Sequence, residues 1–121
     1  MIKTSDLIWQ DAQHQMLFSL IDEIKVEPFD RSVIKRLKLY AEHHFSLEEI
    51  YMDSLDYPGI AAHIKAHDRF REELSAMVET EHIMNKVLQD SLSLFLSEWL
   101  KLHVLGIDKK LEAFILASAA K

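Results

Sequence analysis

The sequence predicts an all-α protein: an up-down-up-down four-helix bundle with an N-terminal arm and a short C-terminal helix. Three observations carry this. Glycine and proline number two each in 121 residues, too few for sheets joined by tight turns. Apolar residues recur at steps of three and four along separate stretches, the period of a helix face. The breaks between those stretches are short, so successive helices run antiparallel as neighbours.

Residues 1–10 read as an irregular arm with Trp9 as its anchor. Asp11 is placed to cap a first helix reaching about Lys25, with His14, Leu17, Phe18, Ile21 and Ile24 facing inward. Residues 26–29, containing Pro28, form a connector, and Asp30 caps the second helix. The stripe of that helix is Ile34, Leu37, Ala41, His44, Glu48, Tyr51 and Leu55. Tyr57-Pro58-Gly59 stops it, since proline disfavours helix in the residue before it. A third helix starts near Ile60 with Ile60, His63, His67, Phe70, Leu74 and Met77 on one face. The pattern lapses from Thr80 to Asn85, a polar junction. A fourth helix carries Leu88, Leu92, Phe95, Trp99 and His103, and Gly106 interrupts it. The last segment, Lys109 to about Ala119, has Leu111, Phe114 and Ile115 on one side and should lie back on the bundle. One domain spanning residues 1–121 is expected.

Hydrophobic residues make up 49% and charged residues 28% of the chain, a globular composition. The absence of cysteine excludes disulfides, thiolate metal sites and cysteine nucleophiles. A formal net charge of −6 argues against a nucleic-acid partner. No run approaches the roughly 20 apolar residues of a membrane span. The opening MIKTSDLIWQ lacks the apolar run of a signal peptide. A soluble, cytoplasmic protein is expected, with neither nucleic acid nor membrane as partner.

Polar residues interrupt the apolar faces of all four helices: His14 on the first, His44 and Glu48 on the second, His63 and His67 on the third, His103 on the fourth. One such histidine is ordinarily a core residue satisfied by one hydrogen bond. Several together are different. Each buried group without a partner costs a few kcal/mol, more if charged, against a total stability of about 5–15 kcal/mol. A shared metal satisfies them jointly. His44 and Glu48, and His63 and His67, are four apart, so each pair can reach one ion. Imidazole with carboxylate admits iron, zinc, copper or manganese. The donors are too many for one tetrahedral ion and suit two adjacent, near-octahedral ions bridged by carboxylates. Asp108 follows His103 by five residues, about 140° away on a regular helix. Gly106 between them permits a break that returns Asp108 toward the metals; the alternative is an ordinary helix end, with Asp108 capping the last segment.

With DAQH (11–14), HFSLE (44–48), HIKAH (63–67) and WLKLHVLGID (99–108) in place, the chain resembles the hemerythrin-like domains of the bacterial type. The match runs from about Trp9 to Asp108. HxxxH alone is a weak signal; the ordered set of seven residues is a strong one. The resemblance implies a non-haem di-iron centre with an oxo or hydroxo bridge. His63, His67 and His103 would hold one iron. His14 and His44 would hold the other, which keeps an open position, and Glu48 and Asp108 would bridge the pair. It further implies reversible, end-on binding of dioxygen at the open iron, for storage, delivery or sensing, with nitric oxide or other small anions as further ligands.

Leu17, Phe45, Trp99, Leu100 and Val104 match positions that line the ligand pocket in that family, and each also serves as ordinary core. An apolar pocket keeps out the water and protons that would make dioxygen binding irreversible. Asp11, three before His14, is either an acceptor for a histidine ring or a helix cap. Glu49 is expected to point to the surface, and His43 and His82 to be solvated. The arm is short, Trp9 standing five residues before His14. The competing reading is a di-iron oxidase, peroxidase or nitric oxide reductase, or an iron-handling protein. Ferritin-like sites use Glu-x-x-His pairs. The His-x-x-x-Glu pattern here leaves less anionic charge to stabilise high-valent iron, so oxygen binding without enzymatic turnover ranks first.

Overall fold

Two apolar clusters separated by a polar layer organise the chain, which a computed structural model describes for residues 3–80 and 85–118. Five helices among the described residues build them: α1 (Ile8–Glu23), α2 (Ser32–Ser54), α3 (Ile60–Thr80), α4 (Lys86–Leu105) and α5 (Ile107–Ala117). No strand occurs among the described residues. α2 packs on α1 and α3, and α4 on α1 and α5. Ring contacts between Phe70 and Trp99, and between His63 and His103, join α3 to α4. The four long helices form an all-α four-helix bundle, with α5 folded back against one end.

The larger cluster takes Leu17, Ile21 and Ile24 from α1 and its end, Ile34, Leu37 and Phe45 from α2, Phe70 and Leu74 from α3, and Leu96 and Leu100 from α4. Each fully buried side chain of this kind contributes about 1.5–3 kcal/mol. The smaller cluster joins Leu7, Met52, Leu111 and Ile115. On α1 and α2 the predicted polar residues fall between residues of the two clusters along the chain.

Several boundaries differ from expectation. α1 starts at Ile8, with Leu7 as a cap residue that offers no side-chain bond, and Asp11 sits inside the first turn. Trp9 is therefore helical, and it anchors by stacking on Tyr51 at 4.9 Å. α1 ends at Glu23. At α2 the cap position belongs to Arg31, although the Asp30 carboxylate accepts the Ser32 amide at 2.9 Å. The buried face of α2 includes Phe45 and Met52, while Tyr51 and Leu55 are half-buried. α5 starts at Ile107 rather than Lys109.

On α4 the inward line is shifted by one residue. Gln89, Ser93, Leu96, Leu100 and Val104 are buried, Leu92 and Trp99 are half-buried, and Phe95 is exposed. Hydrogen bonds explain the shift: Gln89 Nε2 donates to the Ile24 carbonyl at 3.0 Å and Ser93 Oγ to the Ile21 carbonyl at 3.0 Å. Two polar side chains thus bond carbonyls at the end of α1, where the helix itself supplies fewer amide donors. Of the polar junction, residues 81–84, His82 among them, lie outside the described residues. Asn85 begins α4 by accepting the Leu88 amide at 2.9 Å. No helix among the described residues is long and apolar enough to cross a membrane.

α2 terminates before Pro58. Asp56 takes a left-handed backbone, φ 53°. The Tyr57 amide then reaches the Met52 carbonyl at 2.9 Å and the Asp56 amide the Asp53 carbonyl at 3.3 Å, the double bond of a Schellman ending. Such a position favours glycine, and an L side chain there costs about 1–2 kcal/mol, less for Asp. Asp56→Gly is expected to stabilise the fold by about 1 kcal/mol, read as a higher midpoint in thermal or urea unfolding; an unchanged or lower midpoint contradicts this account.

Candidate metal centre

The helical period delivers the side chains. His14 comes from α1, His44 and Glu48 from α2, His63 and His67 from α3, His103 from α4 and Asp108 from α5, and all seven are at least 96% buried. Asp108 arrives through the break at Gly106. That residue ends one helix and begins the next, with φ −114° and ψ −84°. Its amide bonds the His103 carbonyl at 3.3 Å. A Cβ at position 106 would lie 2.9 Å from the Leu102 carbonyl oxygen, so the break depends on the missing side chain.

The two carboxylates divide their oxygens. Glu48 Oε1 lies 3.4 Å from His63 Nε2 and 3.0 Å from His67 Nε2. Asp108 Oδ1 lies 2.9 Å from His63 Nε2 and 3.0 Å from His103 Nε2. The other oxygens turn the opposite way: Asp108 Oδ2 is 2.9 Å from His14 Nε2, and Glu48 Oε2 is 3.5 Å from His44 Nε2 and 4.0 Å from His14 Nε2. The result is two donor groups sharing two carboxylates. One is Glu48, His63, His67, His103 and Asp108; the other is His14, His44, Glu48 and Asp108.

With the imidazoles neutral, these short approaches set lone pair against lone pair. The five Nε2 atoms, Glu48 Oε1 and both Asp108 oxygens are buried with no hydrogen-bond partner. Eight such atoms at about 1–3 kcal/mol each match or exceed the whole stability of a domain this size, about 5–15 kcal/mol. The spacing has a simple meaning. Two donors each about 2.1 Å from one ion, at right angles, stand about 3.0 Å apart. Unprotonated donors arranged at that separation fit divalent or trivalent cations.

The far ring nitrogens fix which way the lone pairs point. His44 Nδ1 donates to Gln13 Oε1 at 2.7 Å, and His67 Nδ1 donates to Glu49 Oε2 at 2.8 Å. His14 Nδ1 meets Thr4 Oγ1 at 2.8 Å, and that hydroxyl in turn donates to Asp11 Oδ1 at 2.9 Å. With Nδ1 protonated, Nε2 keeps its lone pair for the centre. Asp11 therefore acts on His14 at one remove and not as a cap. Glu49 is not a surface residue turned to water: Arg71 clamps both its oxygens, at 3.0 and 3.2 Å. Gln10 is a further buried participant, donating to Glu48 Oε2 at 2.7 Å and accepting from Ser5 Oγ at 2.6 Å. The short arm shields this end through Thr4, Ser5 and Leu7, all buried, and the Asp6 amide ties it to Glu112 on α5 at 3.2 Å.

Gln10 was legible as the residue one turn before His14 on the same face. Gln13 and Glu49 stand one position off the inward stripe, and that position faces a neighbouring helix instead of solvent. Thr4 carries no periodic signal. Of the apolar candidates, Leu17, Phe45, Leu100 and Val104 are buried in the large cluster, with Trp99 half-buried against it. Phe45 stacks on His67 with ring centres 4.0 Å apart, and Trp99 on His103 at 4.9 Å. His43 is exposed.

Charge follows burial and neighbours. Burial pushes the His44 imidazolium down to about 4 despite the Glu48 charge. Burial also opposes a charged His63, but the facing Asp108 and Glu48 carboxylates outweigh it and raise His63 to about 9. Burial and the mutual charge of the acids work against ionised Glu48; the surrounding histidines prevail and hold it down to about 2. Asp108 is likewise held well below the usual carboxylate range, with burial overcome by His103, His14 and His63.

Residues 7–115 match the family described as Hemerythrin HHE cation binding domain. The chain is 31% identical over 112 residues to a bacteriohemerythrin of Clostridium acetobutylicum, covering 83% of this chain and 86% of that protein. It is 28% identical over 100 residues to a myohemerythrin of Riftia pachyptila, covering 83% of this chain and 78% of that one. A hemerythrin-like protein of Naegleria gruberi is 26% identical over 100 residues, covering 83% and 77%.

Two expected outcomes follow from the geometry. Gly106→Ala should lower stability by about 1–3 kcal/mol and weaken metal binding, because the backbone must move and Asp108 moves with it; metal titration and unfolding of the variant check both. The metal-free protein should be most stable near neutrality. Below pH 6.5 the unfolded chain takes up a proton at His44 that the folded chain refuses until about 4, so stability falls with acid. Above 6.5 the unfolded chain has released the His63 proton that the folded chain keeps until about 9, so stability also falls with base. A thermal midpoint that stays flat from pH 4.5 to 9 would contradict both shifts.

Proposed function

The chain belongs to the hemerythrin family, and on that premise we propose that its seven clustered residues hold two iron ions at which dioxygen binds reversibly. The family is one of non-haem di-iron, oxygen-binding proteins that are generally not enzymes. One observation carries the reading for this chain: Glu48 and Asp108 each turn one oxygen toward the group of His63, His67 and His103 and the other toward the pair His14 and His44. That division suits two ions and no single one.

His63, His67 and His103 with one oxygen from each acid offer five donors; His14 and His44 with the remaining oxygens offer four. For six-coordinate ions a shared solvent oxygen would complete the first set and leave one position beside His14 and His44 for an exogenous ligand. Bound iron would supply the electrons that reversible dioxygen binding needs. The protein's own contribution is exclusion and orientation. Leu17, Phe45, Trp99, Leu100 and Val104, all in or against the larger cluster, cover one side of the layer with apolar surface that keeps water and protons away. Gln13, Glu49 and Thr4 hold three imidazoles in place through their Nδ1 atoms. Nitric oxide and small anions would compete for the same position.

The test is optical and elemental. Protein loaded anaerobically with ferrous iron is expected to hold two ions per chain, to develop a visible band in air and to lose it under vacuum. A colourless protein, or one that turns irreversibly ferric, overturns reversible binding, and steady consumption of oxygen points to an enzyme instead. His67→Ala should lower the iron content and shrink the difference in thermal midpoint between iron-loaded and iron-free protein. Unchanged stoichiometry removes His67 from the ligand set.

A further inference from the structure

The outward side of α4 is apolar. Five of the ten large hydrophobic residues exposed among the described ones lie on it: Val87, Leu94, Phe95, Leu102 and Leu105, between 47 and 76% exposed. At about 100° per residue, Val87, Leu94 and Leu105 share one line, with Phe95 and Leu102 on one flank of it. That line stands opposite the buried Gln89, Ser93, Leu96 and Leu100. Glu98 falls on the stripe and Lys101 borders it, and neither makes an ion pair or side-chain hydrogen bond among the described residues. A shallow groove of about 410 Å³ runs along this face, lined by Ser91, Leu94, Phe95, Glu98, Trp99 and Leu102.

We propose that this face docks a second copy of the same chain, with the two α4 helices antiparallel about a two-fold axis between Glu98 and Lys101. The argument is self-complementarity. When two copies of α4 run antiparallel with Glu98 opposite Lys101 of the second copy, the same register sets Leu94 opposite Leu105. It also sets the Phe95 and Leu102 flanks against each other, because a two-fold axis of this kind brings like flanks together. Spacings of 94, 98, 101 and 105 are the alternating four-three-four steps of an antiparallel helix pair. One register thus covers the leucines and pairs, twice over, two charges that have no partner among the described residues. The paired stretch is short, about 17 Å from 1.5 Å per residue, so the dimer is weak and depends on concentration. Residues of the metal centre take no part, and the proposal stands apart from the iron reading.

Charge exchange tests it. Sedimentation velocity on the intact chain, from micromolar to millimolar, should show a reversible monomer–dimer equilibrium. Glu98→Lys and Lys101→Glu each place two like-charge pairs across the axis and should weaken dimerisation roughly tenfold or more. The double variant should restore it, and the two single variants mixed together should form a heterodimer. All these positions are on the surface, so helix content and thermal midpoint of the variants should match the parent. A parent that stays monomeric at millimolar concentration overturns the proposal. So does a dimer that survives either single reversal, or a double variant that stays monomeric.

Discussion

Two carboxylates and five imidazoles share one layer of low dielectric, and the rest of the fold is arranged to make that tolerable. Apolar clusters lie on both sides of it, so no donor atom there can turn to water. Removing one partner from such a set leaves the others buried and uncompensated, which is costlier than never having had them. Without a cation the layer offsets one of its two carboxylate charges by keeping His63 protonated. A cation replaces that proton and satisfies every lone pair at once. Were cations bound there, binding and folding would be one equilibrium, as for any site whose donors come from separate helices.

Holding rings in place takes a second set of contacts, and these are unequal on the two sides. Neutral acceptors, Gln13 and Thr4, serve His44 and His14. A carboxylate, Glu49, serves His67, and Arg71 binds that carboxylate in turn. Arg71 also reaches Glu42 at 2.8 Å and Asp68 at 2.9 Å and lies over the Phe45 ring. An imidazole donating to a carboxylate is the more basic ligand. His67 is thus the most basic of the imidazoles held in this way, while the far nitrogens of His63 and His103 are buried with no hydrogen-bond partner.

The fold was legible because periodicity reports which residues face inward, and a bundle asks for little else. The convergence of His14, His44, Glu48, His63, His67 and His103 follows from the same stripes. Asp108 was legible only by taking Gly106 as a break. What escaped was of three kinds. Glu49 and Gln13 look like surface residues on a single helix, yet in a bundle each helix has flanks that meet two neighbours. Gln89 and Ser93 look like polar outer positions, yet they close carbonyls at the end of α1, and so the face assigned to α4 was one residue off. Thr4 lies outside any helix, and nothing in its surroundings marks a partner ten residues along the chain.

The unequal donor count itself has a structural origin. α2 and α3 each place two donors a helical turn apart, because steps of four keep both on the inward line. α1 contributes one, since the positions one turn to either side of His14 are Gln10 and Phe18. α4 contributes one, since the turn after His103 is cut short at Gly106. Completing the seventh donor from α5 required that interruption. On an unbroken helix a carboxylate five residues past His103 would point about 140° away, into the flank of a neighbour. The break trades a turn of helix for a carboxylate shared by both donor groups, and Leu111 and Ile115, both buried, hold the new helix at the angle that Asp108 needs.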